Sequence, residues 1–447
     1  MLQRFLSLAA AGPDVPALID ADSGHVTTRA GLLARAEELA AELTAAGLAE
    51  GDLVAIQLPN SVDFVAAFLA VLMLRLVAVP IDRDAHTTEV GAILAHFAVK
   101  GFVYRGGIST RAVGQHPVLP KEARLIKLTS GSTGTPKGIV TSEANLVADC
   151  ANICATMDIR PDDRNLGAIP MSHSYGFSNL ITPLISQGTA IVVSNDYLPQ
   201  SLLELANRHR CTVVPGIPMV FEHLAAVAKG EFRTVRTFLS AGAPLPAATS
   251  RRFRERFGIP IHTFYGCSEC GGITYDRAGA AVERGTVGEA MDGVTLELDA
   301  KTQRLTVRSG SVALGYLHDA DAFEPFEPRT FITDDLVELA DGEIVLTGRA
   351  GDLINTAGKK VNPREVEAVI LQLEGVRQAK VYGEPAGARG EVVAAAIVAS
   401  PDVTREQVRE FCRGRLSLHK VPRIVKLIES IPVDERGKVK RAVLATL

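Results

Sequence analysis

The chain has 447 residues, 22% of them charged and 47% hydrophobic, with a formal net charge of −4. That length supports a substantial core and more than one domain. The nearly balanced charge argues against a nucleic-acid or anionic-membrane partner, and the longest apolar run, FVAAFLAVLML (64–74), is too short for a membrane anchor.

In chain order, MLQRFLSLAAAGPD (1–14) has an apolar run broken by Ser7 and one early charge, Arg4. It predicts an amphipathic first helix rather than a secretion signal. RAGLLARAEELAAEL (29–43) is a helix pattern, DLVAIQLP (52–59) a strand, residues 64–74 a buried helix and LVAVPID (76–82) a strand. GGIS (106–109) mimics a carrier-protein attachment site, but no helical bundle surrounds it and it reads as loop. RLIKLTS (124–130) predicts a strand leading into a Gly/Ser/Thr loop. The segment beyond predicts a helix with Leu146, Cys150, Ile153 and Met157 on one face.

Strands follow at GTAIVVSND (188–196), CTVVPGIP (211–218) and RTFLSAG (236–242), with a helix at SLLELANRHR (201–210). Short β-branched runs alternating with longer helices predict an α/β fold with mostly parallel sheets and flanking helices. Gly and charge cluster over 341–360. After it, a helix pattern (364–373), the strand-like RQAKVYG and EVVAAAIVAS, and a Thr404–Gln407 capping box predict a small C-terminal α+β domain. Six cysteines, at 150, 154, 211, 267, 270 and 412, do not form a disulfide framework. They point to a reducing cytoplasmic setting.

The loop TSGSTGTPKG (129–138) is placed where strand, glycine loop and helix bring backbone N–H groups onto an anion. It is not a Walker A loop, because Pro136 precedes Lys137 and Gly138 follows it. Alone it fits either a phosphate site or a flexible surface segment. Four later stretches narrow the choice: YGCSE (265–269), TDD (333–335), GRAGDLINTAGKKVNPREVE (348–367) and PVDERGKVKR (432–441). In that order, and over nearly the whole chain, they resemble the motifs of the adenylate-forming superfamily. Its members are acyl- and aryl-CoA ligases, peptide-synthetase adenylation domains and luciferases.

The resemblance implies an N-terminal AMP-binding domain over 1–348, a hinge at 349–352 and a mobile C-terminal domain over 353–447. In this family a carboxylate attacks the α-phosphorus of MgATP, and a thiol then takes the acyl group. Thr129, Ser130, Gly131, Ser132, Thr133, Gly134 and Lys137 correspond to its phosphate-gripping loop. Glu269 corresponds to the Mg²⁺ ligand, and Ser268 stands where Thr is usual, within reach of the α-phosphate. Tyr265 and Gly266 would flank adenine opposite the backbone of Gly242, Ala243 and Pro244. Asp335 and Arg349 correspond to ribose contacts, and Lys438 to the ammonium that bridges carboxylate and α-phosphate. His173 matches a position beside the acyl pocket, with Tyr175, Gly176, Ser240, Cys267 and Gly271 as its neighbours.

The resemblance also orders the substrates. SHSYGFSN offers no carboxylate where amino-acid-activating relatives place Asp, so an acid without an α-amino group, aromatic or aliphatic, is expected. Pro363 in NPREVE is more like acyl-CoA ligases and favours CoA as acceptor. A separate carrier protein, direct amide formation, or a nucleotide-binding regulator are the alternatives; Glu269, Asp335 and Lys438 together oppose the last. Cys267 and Cys270 form CxxC without a second pair at zinc spacing, so no zinc site is expected. Gly351 departs from the Asp or Lys usual at the hinge. The short stretch between Asp82 and the phosphate loop is a second departure; surface bared by trimmed elements would suit a homodimer.

Overall fold

The computed structural model describes residues 1–114, 116–129, 136–356, 359–385 and 391–432. The chain divides into two compact units, Met1–Leu296 with Val307–Phe331, and Glu297–Thr306 with Ile332–Leu447.

Two large sheets organise the first unit. One runs in the order 289–290, 271–275, 261–267, 237–240, 213–216, 164–167, 190–193, 16–20 and 26–28. Its interior strands are parallel, as in Val213–Gly216 beside Thr237–Ser240. The other runs 322–325, 315–319, 137–142, 123–129, 77–80, 53–57, 101–104 and 107–110. Helix Val62–Met73 begins at Ser61, whose hydroxyl accepts from Phe64 N at 3.2 Å. The core that holds Phe64 and Phe68 also holds Leu18 and Ile191 of the first sheet and Val54, Ile56 and Ala78 of the second. A helix covered from both sides is apolar all round, not striped, which accounts for its sequence.

Helix Glu143–Met157 buries Leu146, Cys150, Ile153 and Met157, the expected face. Helix Leu2–Ala11 buries Phe5 and Ala9. Two local expectations are corrected. GGIS is not loop: Gly107–Thr110 is a strand antiparallel to Gly101–Tyr104, with Phe102 opposite Ser109. The phosphate loop is likewise not followed directly by a helix. Strand Ala123–Thr129 pairs antiparallel with Lys137–Ser142, from Thr129 opposite Lys137 to Ala123 opposite Ser142. The β-branched Ile139, Val140 and Thr141 are all buried in that pairing. The helix starts only at Glu143, directly after that strand.

Several parallel strands of the first unit end where candidate residues begin. Asp82 follows Val77–Pro80, His173 and Ser174 follow Arg164–Gly167, Gly242 follows Thr237–Ser240, and Ser268 follows Ile261–Cys267. Carboxyl ends of parallel strands are where open α/β sheets hold ligands.

In the second unit, Val376–Pro385, Glu391–Ala399 and Ile424–Leu427 form a sheet, antiparallel then parallel. Helices Pro363–Ile370 and Arg405–Arg413 bury Val366, Ile370, Val408 and Cys412 in one core with Val381, Val393 and Ile397. The Thr404–Gln407 capping box forms. Residues 349–352, the expected hinge, lie within this unit, where Ala350–Asp352 is a 3₁₀ turn. A Cβ at Gly351 meets nothing within 4 Å. Among the described residues no helix is long and apolar enough to cross a membrane.

Candidate active site

Strand Ile261–Cys267 reverses through residues 268–270 into antiparallel Gly271–Tyr275, placing Cys267 opposite Gly271. Contacts from distant parts of the first unit fix this turn. The Ser268 and Ser174 hydroxyls are 2.7 Å apart. Tyr316 OH donates to Glu269 Oε1 at 2.9 Å, and Ala313 N donates to Glu269 O at 2.8 Å. The Tyr316 ring carries the Lys137 ammonium 5.2 Å from its centroid. Lys137, Ser268 and Glu269, distant in sequence, therefore gather with Tyr316 in one place.

The donor set suits magnesium nucleotide. Among the described residues no three His, Cys, Asp or Glu side chains cluster to hold a metal by themselves. Mg²⁺ is commonly held by one or two carboxylates plus the phosphates of its substrate. Glu269 offers such an oxygen, and Lys137 offers a cation for phosphate beside it.

Asp149 ties the turn to the neighbouring helical segment. It is 2% exposed, and it accepts from Ser178 Oγ at 2.6 Å and from Gly272 N at 3.0 Å. Gly271 has φ +71°, and a Cβ there would lie 2.1 Å from Asp149 Oδ1. Only glycine meets both demands. Gly176 is excluded from bearing a side chain for another reason: its Cβ would lie 2.0 Å from Pro170 O.

His173 Nε2 lies 2.8 Å from Asp82 Oδ2, while Asp82 Oδ1 accepts from Asp84 N at 3.0 Å. A carboxylate only accepts, so Nε2 carries the proton. Tyr175 OH donates to Leu239 O at 2.9 Å. Burial pushes that phenol far above its ordinary range, so it stays neutral. Ser240 is buried, and its hydroxyl has no partner among the described residues. It shares a sheet face with Phe238, which packs against Phe221 and Phe253. Tyr175 instead bonds at Leu239 and lies near Phe264, ring centroids 5.9 Å apart. Gly242 (φ +85°), Ala243 and Pro244 extend past the Thr237–Ser240 strand, and Tyr265 and Gly266 lie on Ile261–Cys267.

In the second unit Asp335 and Arg349 are cross-strand partners, and Arg349 Nε donates to Asp335 Oδ1 at 2.7 Å. Asp335 is buried and Arg349 half-exposed. Thr129 is described, its hydroxyl 3.4 Å from Lys137 O. Ser130, Gly131, Ser132, Thr133, Gly134 and Lys438 lie outside the described residues.

Asp82, Asp149 and Tyr316 are additions to the sequence reading. Asp149 had a signal: it is a charge on the buried face between Leu146 and Ile153. Tyr316, in GYLHD, carried none.

Residues 6–127 and 109–317 match the family model described as AMP-binding enzyme, and residues 365–438 match the AMP-binding enzyme C-terminal domain. The chain belongs to the AMP-binding enzymes. Sulfoacetate–CoA ligase from Cupriavidus necator is 28% identical over 97% of this chain and 95% of its own. Long-chain-fatty-acid–CoA ligase FadD13 from Mycobacterium tuberculosis is 27% identical over 98% and 96%. The solved structure of ATP-bound MatB from Rhodopseudomonas palustris has a TM-score of 0.85 at 26% identity, covering 100% of this chain and 98% of that one. This AMP-binding enzyme is therefore an adenylate-forming protein, most like acyl- and aryl-CoA ligases, with the expected α/β architecture.

Proposed function

We propose that this AMP-binding enzyme is an AMP-forming acid–thiol ligase. It joins a carboxylic acid without an α-amino group to MgATP, releases pyrophosphate, and passes the acyl group from acyl-AMP to CoA. The observation that carries the reading is the convergence of Lys137, Tyr316, Glu269 and Ser268 on a chain with ligase relatives from end to end.

The first step brings two anions together, so positioning and charge neutralisation are the main demands. Lys137 and residues 129–134 take the β- and γ-phosphates. Glu269 would hold Mg²⁺, which would neutralise phosphate charge, and Ser268 would donate to the α-phosphate. Lys438 bridges the α-phosphate and the attacking carboxylate. Tyr265, Gly266 and the 242–244 backbone enclose adenine, and Asp335 with Arg349 take the ribose. His173, oriented by Asp82, borders the acyl group together with Tyr175, Gly176, Ser240, Cys267 and Gly271.

Residues 1–348 and 353–447 are the two working domains, hinged at 349–352, with Gly351 admitting either orientation of the backbone. CoA is favoured as acceptor because both ligase relatives are named for it; a carrier protein is the second reading. The six cysteines are free thiols, which supports a cytoplasmic setting.

The test is a panel of aryl, short, medium and long acids with MgATP, each with and without CoA, followed by mass. Equal amounts of AMP, pyrophosphate and acyl-CoA are expected with the correct acid. Pyrophosphate and acyl-AMP without acyl-CoA would transfer the reading to a carrier protein, and ADP as the product would overturn it.

A further inference from the structure

Cys267 and Cys270 bracket the turn that carries Ser268 and Glu269, and their sulfurs are 3.1 Å apart. A disulfide needs sulfurs at about 2.05 Å, so the gap closes with a relative movement of about 1 Å. The other close pair, Cys150 and Cys154 at 3.8 Å, is different in kind. Those two stand one turn apart on a helix, where Cβ atoms are about 5–6 Å apart, beyond the roughly 3.5–4.5 Å that a disulfide spans.

The surroundings decide where the movement goes. Cys267 ends a strand and is paired opposite Gly271. The Cys270 carbonyl accepts from Ser311 Oγ at 2.8 Å, and Gly272 N is held by Asp149. Both flanks are tethered, so closure falls on residues 268 and 269. Cys267 keeps partial exposure while Cys270 is fully buried, so one thiol is placed to meet a reagent and the other to resolve it.

We propose that Cys267 and Cys270 are a reversible oxidation site for small disulfides, and that closing it shuts off adenylation by displacing Ser268 and Glu269. The loss of activity rests on the role given to those two residues above. Cys267 thiol attacks a disulfide RSSR, forming Cys267–S–SR and releasing one RSH. Cys270 thiol then attacks the Cys267 sulfur, forming the Cys267–Cys270 bond and releasing the second RSH. Two protein thiols are oxidised and one small disulfide is reduced to two thiols. Transient disulfides of this kind are the ones that persist in reducing compartments as sensors. A displacement near 1 Å at positioning groups is worth about 100-fold in rate.

The experiment exposes the full-length protein to oxidised glutathione, maps disulfides by mass without reduction, and measures MgATP affinity and acid-dependent pyrophosphate release. Expected are a Cys267–Cys270 cross-link, pyrophosphate release lowered at least tenfold in proportion to it, and recovery with dithiothreitol. Cys270→Ser should keep its basal activity without oxidant and, with it, stop at the Cys267–glutathione mixed disulfide instead of the cross-link. Three results would overturn the proposal: no cross-link at any oxidant ratio, a complete cross-link with full activity, or Cys270→Ser carrying no Cys267–glutathione adduct under oxidant. The correlation between cross-linked and inactive fractions in the parent protein stands even if that variant folds poorly. Failure of every acid to release pyrophosphate would instead count against the ligase reading, and cross-link mapping with MgATP affinity would still decide the switch.

Discussion

Tyr316 joins two charges of opposite sign, donating its hydroxyl to Glu269 while its ring carries Lys137. Removing that hydroxyl leaves the carboxylate without this donor, and a hydrogen bond to a charged group is worth about 1.5–3 kcal/mol. Tyr316→Phe is expected to lower kcat/KM for acid-dependent pyrophosphate release about tenfold or more, with the melting temperature little changed; steady-state kinetics will show it. Cys211 gives a residue-scale prediction about stability. It is fully buried, and burial pushes its thiol up to about 12, above roughly 8.5 for an unfolded chain. The unfolded state therefore loses its proton first. Stability from this thiol is fully present below about pH 8.5 and is lost as pH rises towards about 12. Urea unfolding between pH 8.5 and 11 should show a steeper decline for the parent than for Cys211→Ala, and parallel curves would contradict this. At this scale Lys137, Ser268 and Glu269, which the fold brings together, were legible as candidates because each sits in a short ordered motif. Tyr316 and Asp82 were not, since their roles are set by partners 47 and 91 positions away.

The two hairpins show what an element-level reading catches and loses. Strand Ala123–Thr129 was legible from its apolar run, but Lys137–Ser142 was absorbed into the approach to a helix. Six residues directly before a strong helical stripe carry little periodicity of their own. Their strand identity comes from pairing with Ala123–Thr129 and with Gly315–Asp319, the second a partner from far along the chain. The other hairpin depends on Gly271. A Cβ there meets both a left-handed backbone and the Asp149 carboxylate, so Gly271→Ala should destabilise the protein by at least about 1–3 kcal/mol. Chemical denaturation checks it. A change within about 0.5 kcal/mol, the range of neutral surface substitutions, would mean that the helix bearing Asp149 gives way freely.

For the whole molecule, alternation of short β-branched runs with helices was enough to predict the fold class, and helix Val62–Met73 shows why. Its uninterrupted apolar character requires cover on every side, and two sheets provide it. Strand order was not legible. Residues 164–167 lie between 190–193 and 213–216, an arrangement that depends on crossover packing and that no local pattern encodes. Function was legible at this scale because separate motifs, each weak, fall in one order along a chain that matches AMP-binding enzymes over both of its parts. The claim that most needs testing is that the acid is activated as an acyl-adenylate before any thiol takes part. The direct measurement is exchange of labelled pyrophosphate into ATP, with the acid present and CoA absent, for the parent and for Lys438→Ala. Exchange that requires the acid, and disappears in Lys438→Ala while thioester formation from supplied acyl-AMP survives, is the predicted result. Exchange that requires CoA, or a variant that loses both half-reactions equally, would contradict the account.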